Sequence, residues 1–236
     1  MACFVALLFA VLLSAHAASD SSSDSNSSEC DDDSSSSSGG RGRGGNGRHR
    51  HHHGGGSSNS GCGTGWKSFS RPNGVWCLRV YSGANIDYAD AVSNCVNHDA
   101  VLSGIQDATE MAYIAQTASS NLASSTGSLW IGAQRTSACL QSKLTSTCSK
   151  TTSFYWTDSS TSGTAGFSWL DASQPDNALG GNQNCASFFF ASANTVVNNV
   201  NWFPGALDDV NCVASALSSI PARTIQGYLC GKSPSS

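Results

Sequence analysis

"QPDNALGGNQNC", residues 174–185, and "LDDVNC", residues 207–212, each end in a cysteine and carry Asp, Asn or Gln a short distance before it. Gln174, Asp176, Gln183, Asp208 and Asp209 all bear side-chain oxygens. Calcium takes roughly six to eight oxygens, from carboxylates and amide carbonyls, at about 2.3–2.6 Å. The residue types therefore suit a calcium ion held between two loops. They suit equally well two solvated polar loops beside a disulfide, with no ion.

The start of the chain bears on the cysteines. "MACFVALLFAVLLSAHA" contains an apolar run, Phe4 to Leu13, about half the ~20 residues of a membrane-spanning helix. Ala15 and Ala17 then give the small-x-small pattern of a cleavage site, although no Lys or Arg precedes the run. This predicts a secretion signal at 1–17, cut after Ala17, and a soluble, secreted, extracellular mature protein with no membrane span. Disulfides persist in that compartment. Of ten cysteines, Cys3 leaves with the signal, Cys30 stands alone, and eight run from Cys62 to Cys230. An odd cysteine points to an intermolecular bridge or a capped thiol, so Cys30 is the candidate for a homodimer link.

Composition narrows the rest. Charged residues make up 12% of the chain, against roughly 25% in an ordinary domain. Residues 61–236 hold eight Lys and Arg against ten Asp and Glu, with no basic stripe, which speaks against nucleic acid as a partner. Residues 18–60 contain no Leu, Ile, Val, Phe, Trp or Tyr. Nothing there offsets the entropy lost on ordering, so a disordered tail is expected, Ser/Asp-rich and then Gly/Arg/His-rich. Within it, Asn26-Ser27-Ser28 is an N-glycosylation sequon, Ser38-Gly39 is a candidate glycosaminoglycan attachment point, and "RHRHHH" (48–53) is either a metal-binding or a solvated tract. From about Gly61 onward the length suits one domain with a single core, followed by a short C-terminal tail, 233–236.

Inside that domain, "WCLRVY" (76–81) alternates like a strand. Asp87 is a candidate cap for a helix that would bury Ala91, Val92 and Cys95. "VLSGI" (101–105) reads as a strand. A second helix should start at Asp107, with Glu110 completing a capping box and Met111 and Ile114 forming the buried stripe. "LWIGA" (129–133), "CASFFFA" and "TIQGYLC" read as strands among Gly-, Pro- and Asn-rich loops. Helices early and strands with long loops late give an α+β class.

Six motifs in order, Cys95, "WIG" (130–132), "QPD" (174–176), Cys185, "LDDVNC" (207–212) and "YLCGK" (228–232), resemble the C-type lectin-like domain in its long form. The resemblance covers 61–232. It implies two helices, small antiparallel sheets and a long disulfide-stapled loop region. It also implies the pairs Cys62–Cys77, Cys95–Cys230 and Cys185–Cys212, with Cys139–Cys148 as an extra local staple; spacing alone leaves the pairing open. A bridge closing nearly the whole domain would constrain the unfolded chain by roughly 5 kcal/mol in the entropy model.

The resemblance further implies a calcium site built from Gln174, Asp176, Gln183, Asp208 and Asp209, with a cis bond before Pro175. Gln174, Asp176, Gln183 and Asp208 would be shared with a sugar. Two positions depart from the family's pattern. Gln183 stands for a Glu and Asp208 for an Asn, and together the swaps preserve three carboxylates. Gln183 then offers a donor where the family has an acceptor, so metal binding is better supported than sugar binding. The Gln-Pro-Asp triplet goes with galactose-like ligands in the family, but "NALGG" after it carries no aromatic to stack on a sugar face, and Trp169 and Trp202 read as core. The implied function is calcium-dependent carbohydrate binding in innate recognition of microbial or host glycans. The alternative is a protein-binding or structural module on the same fold. An enzyme is not expected: the domain has one histidine, His98, beside Asp99, and no free thiolate, phosphate loop or Ser-His-Asp pattern.

Overall fold

The computed structural model describes residues 61–217 and 219–235. The expected signal at 1–17 and the tail at 18–60, with Asn26, Cys30, Ser38 and the histidine tract, lie outside the described residues.

The chain runs β1 (Lys67–Arg71), β2 (Gly74–Ser82), α1 (Tyr88–Val96), β3 (Val101–Leu102), α2 (Ala108–Asn121) and β4 (Gly127–Arg135), then β5 (Phe154–Trp156) and the short α3 (Ala178–Gly181). It continues through β6 (Cys185–Phe190), β7 (Thr195–Val197), β8 (Val200–Trp202), β9 (Leu207–Val210) and β10 (Ile225–Lys232). One sheet has the order β1-β2-β10-β4-β6-β9, with β3 beside β10 and β5 beside β4, while β7 and β8 form a separate hairpin. All pairs are antiparallel except β10 with β4.

Both long helices begin at the expected aspartate, Asp87 for α1 and Asp107 for α2, and only the α2 cap differs from its expected form. At α1 the Asp87 N–H reaches Asp90 at 3.4 Å, while the Asp87 carboxylate accepts the Ala214 N–H at 2.8 Å. The helix buries Ala91 and Cys95, and Val92 faces outward instead of inward. At α2 the Asp107 carboxylate accepts the N–H groups of Thr109 and Glu110, as an N-cap does. Glu110 does not close the box back onto Asp107. Its carboxylate is buried and takes two bonds from Arg71, both 2.7 Å. An ion pair at low dielectric outcompetes a cap bond. Ile114, Ala115 and Ala118 form the buried stripe, with Met111 half-buried.

The strand expected over 101–105 pairs only at Val101 and Leu102. Beyond it, Ser103 and Gly104 turn their polar groups to Asp158, and the Gly132 N–H reaches back to the Ser103 carbonyl at 2.7 Å. Gly132, the glycine of "WIG", permits that approach, because a Cβ there would run into the Leu102 carbonyl. β6 is buried along its whole length. Phe188 and Phe190 join Leu78, Ile114, Leu129 and Ile131 in the main core, while Phe189 packs with Leu170 and Trp202 on the other face. A strand covered on both faces reads as a continuous apolar run.

Four disulfides close the domain: Cys62–Cys77, Cys95–Cys230, Cys139–Cys148 and Cys185–Cys212. The last joins the start of β6 to the residue after Asn211, with Cα atoms 5.2 Å apart, and so sets the 174–185 loop beside β9.

Candidate functional site

β9 carries "LDDV", and its neighbours on a strand point to opposite faces. Leu207 is buried in the main core. Asp208 and Asp209 are both fully buried and therefore look in different directions.

Asp209 looks toward the 174–185 loop. The Gln174–Pro175 bond is cis. The Asp176 N–H donates to both the Gln174 Oε1 and the Asp209 Oδ1, each at 3.0 Å. Asn177, at φ 45°, presents its own N–H to Asp209 Oδ2 at 2.8 Å. Arg135, the last residue of β4, donates from Nη2 to the same Oδ2. Its Nε donates to the Gln183 carbonyl at 2.9 Å and its Nη1 to the Ser142 carbonyl at 3.3 Å, and the guanidinium lies 4.7 Å from the Phe154 ring centroid. Asn177 adds bonds to the carbonyls of Leu140 and Ser142 and accepts the Gln183 N–H. Arg135 thus ties the segment at Ser142 and the 174–185 loop to β9.

Asp208 looks the other way. Arg223 donates to its Oδ2 from Nε at 2.5 Å and lies 5.6 Å from the Trp202 ring centroid. Among the described residues, Asp208 Oδ1 and Gln183 Oε1 are buried without a hydrogen-bond partner. A buried orphan acceptor costs about 1–3 kcal/mol, so both stand out.

Burial governs the charges. It pushes the Asp209 carboxyl up to about 6, against the pull of the Asn177 N–H, Arg135 and the Asp176 N–H. It lowers Arg135 from its ordinary value despite Asp209 and Asp176. Asp208 is also raised by burial, although Arg223 opposes it. Arg223 itself is raised, because the carboxylates of Asp208, Asp176 and Asp209 outweigh its own burial.

The structure brings Gln174, Asp176 and Asp209 together, places the Gln183 backbone beside them through Arg135, and turns Asp208 onto another face. As arranged, these residues do not fit a calcium ion. Both oxygens of Asp209 are occupied by N–H donors, Asp208 is paired with Arg223 on the opposite face, and a guanidinium balances each of these two carboxylates. Calcium needs six or more converging oxygens. Reasoning from the loops alone missed Arg135 and Arg223. The available signal was their rarity: the domain has only four arginines, and buried carboxylates need partners.

The paired helices, the sheet closed by β2 and β10, and the stapled loops define a C-type lectin-like domain. The profile of the family described as C-type lectin domain-containing protein 141/158 matches residues 68–233, more than half of the chain, and the protein belongs to that family. Among solved structures, the chain is similar to herring type II antifreeze protein, with TM-score 0.45 and 20% identity over 74% of this chain and 100% of that one. It is similar to the cow CD23 C-type carbohydrate-recognition domain, solved in the presence of a GlcNAc2Man3 oligosaccharide, with TM-score 0.47 and 16% identity over 75% and 98%. It is also similar to the calcium-independent C-type lectin SPL-2 of Saxidomus purpuratus, with TM-score 0.45 and 20% identity over 72% and 93%. No curated protein sequence matches the chain. No helix among the described residues is long and apolar enough to cross a membrane.

Proposed function

We propose that this chain is an extracellular C-type lectin-like binding module that engages its ligand without calcium at the 174–209 loops. The observation that carries the reading is the buried Arg135 guanidinium on Asp209. A cation of the protein's own already supplies the charge and the loop cross-linking that a calcium ion would supply. A metal that took Asp209 would remove the one carboxylate that pairs with the buried Arg135 guanidinium among the described residues. Four disulfides support an oxidising, extracellular setting, and Cys30 remains the candidate for joining two copies.

Calcium-dependent glycan binding of galactose type, serving innate recognition, is the second reading. What favours it is the grouping of Gln174, Asp176 and Asp209 together with the unpartnered oxygens of Gln183 and Asp208. Calorimetric titration of calcium into the full chain separates the two, with an Asp208→Ala/Asp209→Ala variant as control. The calcium-free reading expects no saturable heat up to millimolar calcium and the same Tm in EDTA as in calcium. Saturable binding lost in the variant would overturn it in favour of the second.

A further inference from the structure

β1 stops short of the end of β2. Its first residue, Lys67, lies opposite Leu78, so Arg79, Val80, Tyr81 and Ser82 pair with β10 on one side and with no strand on the other. Arg71 and Gly74 close the two-residue turn as a hydrogen-bonded pair, and the bonding direction alternates along a strand. The N–H and C=O groups of Val80 and Ser82 therefore point to the open edge, where no partner among the described residues meets them.

Along that edge runs an open cleft of about 440 Å3, within the roughly 300–1,000 Å3 of ligand sites. Val80 and Ser82 line it from β2, and Tyr113, Thr117 and Asn121 line it from one face of α2. The two faces of β2 give the cleft two characters. Val80 packs on the main core, as do Tyr113 and Leu122, and this side is apolar. Arg79 and Tyr81 point to the other face, with the guanidinium 4.7 Å from the Tyr81 ring centroid. Of the four arginines in the domain, Arg71, Arg135 and Arg223 each hold a carboxylate, and Arg79 holds none among the described residues. None of its nitrogens is buried without a partner, and the side chain lines the cleft.

An unpaired strand edge is a template for a further strand. Main-chain bonds then give affinity, and the side chains around the edge select the sequence. We propose that this edge takes up an extended acidic peptide of a partner protein as an added strand, antiparallel to β2 in the line that β1 leaves. Carboxylates at alternate residues lie on the Arg79 face, and apolar side chains between them lie against Val80, Tyr113 and Leu122. Residues directly opposite each other share a face, so the peptide residues bonded to Val80 and Ser82 are the apolar ones. The guanidinium fork of Arg79 matches a carboxylate, and a basic peptide would meet a like charge there. The edge shares no residue with the 174–209 loops, so it stands or falls apart from the calcium-free reading.

Calorimetry of the full chain tests it, with acetyl-Val-Glu-Val-Glu-Val-amide as probe. Saturable binding is expected, with hydrogen exchange at the Val80 and Ser82 N–H groups slowed about tenfold or more at saturation. Binding should weaken by about tenfold or more for acetyl-Val-Lys-Val-Lys-Val-amide and in Arg79→Gln. Methylating the valine nitrogens of the probe removes the N–H groups that face β2 and should abolish binding. Ser82→Pro deletes an outward N–H at an exposed position that bonds nothing, and should weaken binding with Tm unchanged. No saturable heat from the glutamate probe, equal binding of the lysine probe, or undiminished binding in Arg79→Gln would each overturn the proposal. Binding that needs Arg79 yet survives valine methylation would overturn it too, in favour of an anion site with no added strand.

Discussion

Two clusters of buried arginine and carboxylate lie in this domain, and they are built differently. Around Arg71, every oxygen is used. Glu110 takes the Nε and Nη2 of Arg71 and the Gln106 N–H, while Asp158 takes Arg71 Nη1, the Ser103 hydroxyl, and the N–H groups of Gly104, Ser160 and Thr161. Ser103 in turn accepts the Trp76 indole N–H at 3.0 Å. Around Arg135 and Arg223 the pairing is as tight, yet Gln183 Oε1 and Asp208 Oδ1 are left over. The first cluster spends its polar groups on joining β1 to α2 and to the 158–161 turn, and belongs to the scaffold. The second leaves two buried acceptors without a donor among the described residues.

The largest test of the contrast is Arg71→Met. It strands Glu110 and Asp158 in the interior and should lower unfolding free energy by about 3–5 kcal/mol, read from a urea melt. An effect under about 1 kcal/mol would mean that the scaffold cluster is dispensable.

The pH response should have opposite sign in the two clusters. At Asp158, burial alone would raise the carboxyl, but the N–H and hydroxyl of Thr161, the Gly104 N–H and Arg71 together hold it below the ordinary value. Its contribution is therefore present above the unfolded carboxyl value, about 3.9, and disappears as pH falls through its lower folded value. Asp209 is raised to about 6, so the folded state binds more protons than the unfolded chain between about 4 and 6. There stability declines as pH rises, by roughly 1–3 kcal/mol across the window. Urea midpoints against pH should show that Asp209→Asn reduces the slope of the upper window, to which the raised Asp208 also contributes, and leaves the acid limb alone, while Asp158→Asn changes the acid limb only. A flattened upper window in Asp158→Asn would break the assignment.

The smallest effect is the most discriminating. Ser103→Ala removes a bonded hydroxyl from the scaffold cluster and should cost about 1–2 kcal/mol. Gln183→Met removes an acceptor that bonds to nothing, and its stability should stay within about 0.5 kcal/mol of the parent or exceed it. A loss at Gln183 equal to that at Ser103 would show that both clusters are scaffold.

What the sequence made legible was local or covalent. Asp107 announced a helix start through its position before an apolar stripe, and "QPDNALGGNQNC" and "LDDVNC" announced the loop pair through their closing cysteines. The missed groups are partners across long separations. Arg135 and Asp209 are 74 residues apart and Arg71 and Glu110 are 39 apart. No periodicity reports which arginine will reach which carboxylate. Counting three carboxylates in the loops gave a charge suited to calcium because Arg135 and Arg223 lay outside the count. Glu110 shows the same failure in miniature: its spacing from Asp107 suits a cap, and only the fold reveals that Arg71 takes it.

The ends of the domain meet, with the Ser235 hydroxyl 3.4 Å from the Gly61 carbonyl. Two bridges lie just inside them, Cys62–Cys77 and Cys95–Cys230. Tension applied between residues 61 and 235 therefore runs through the first bridge, along 77–95, across the second bridge and out. Residues 96–229, both loops among them, hang from that path as a slack loop. Whatever drags on the two leads, the covalent path bypasses these loops until a sulfur–sulfur bond gives way.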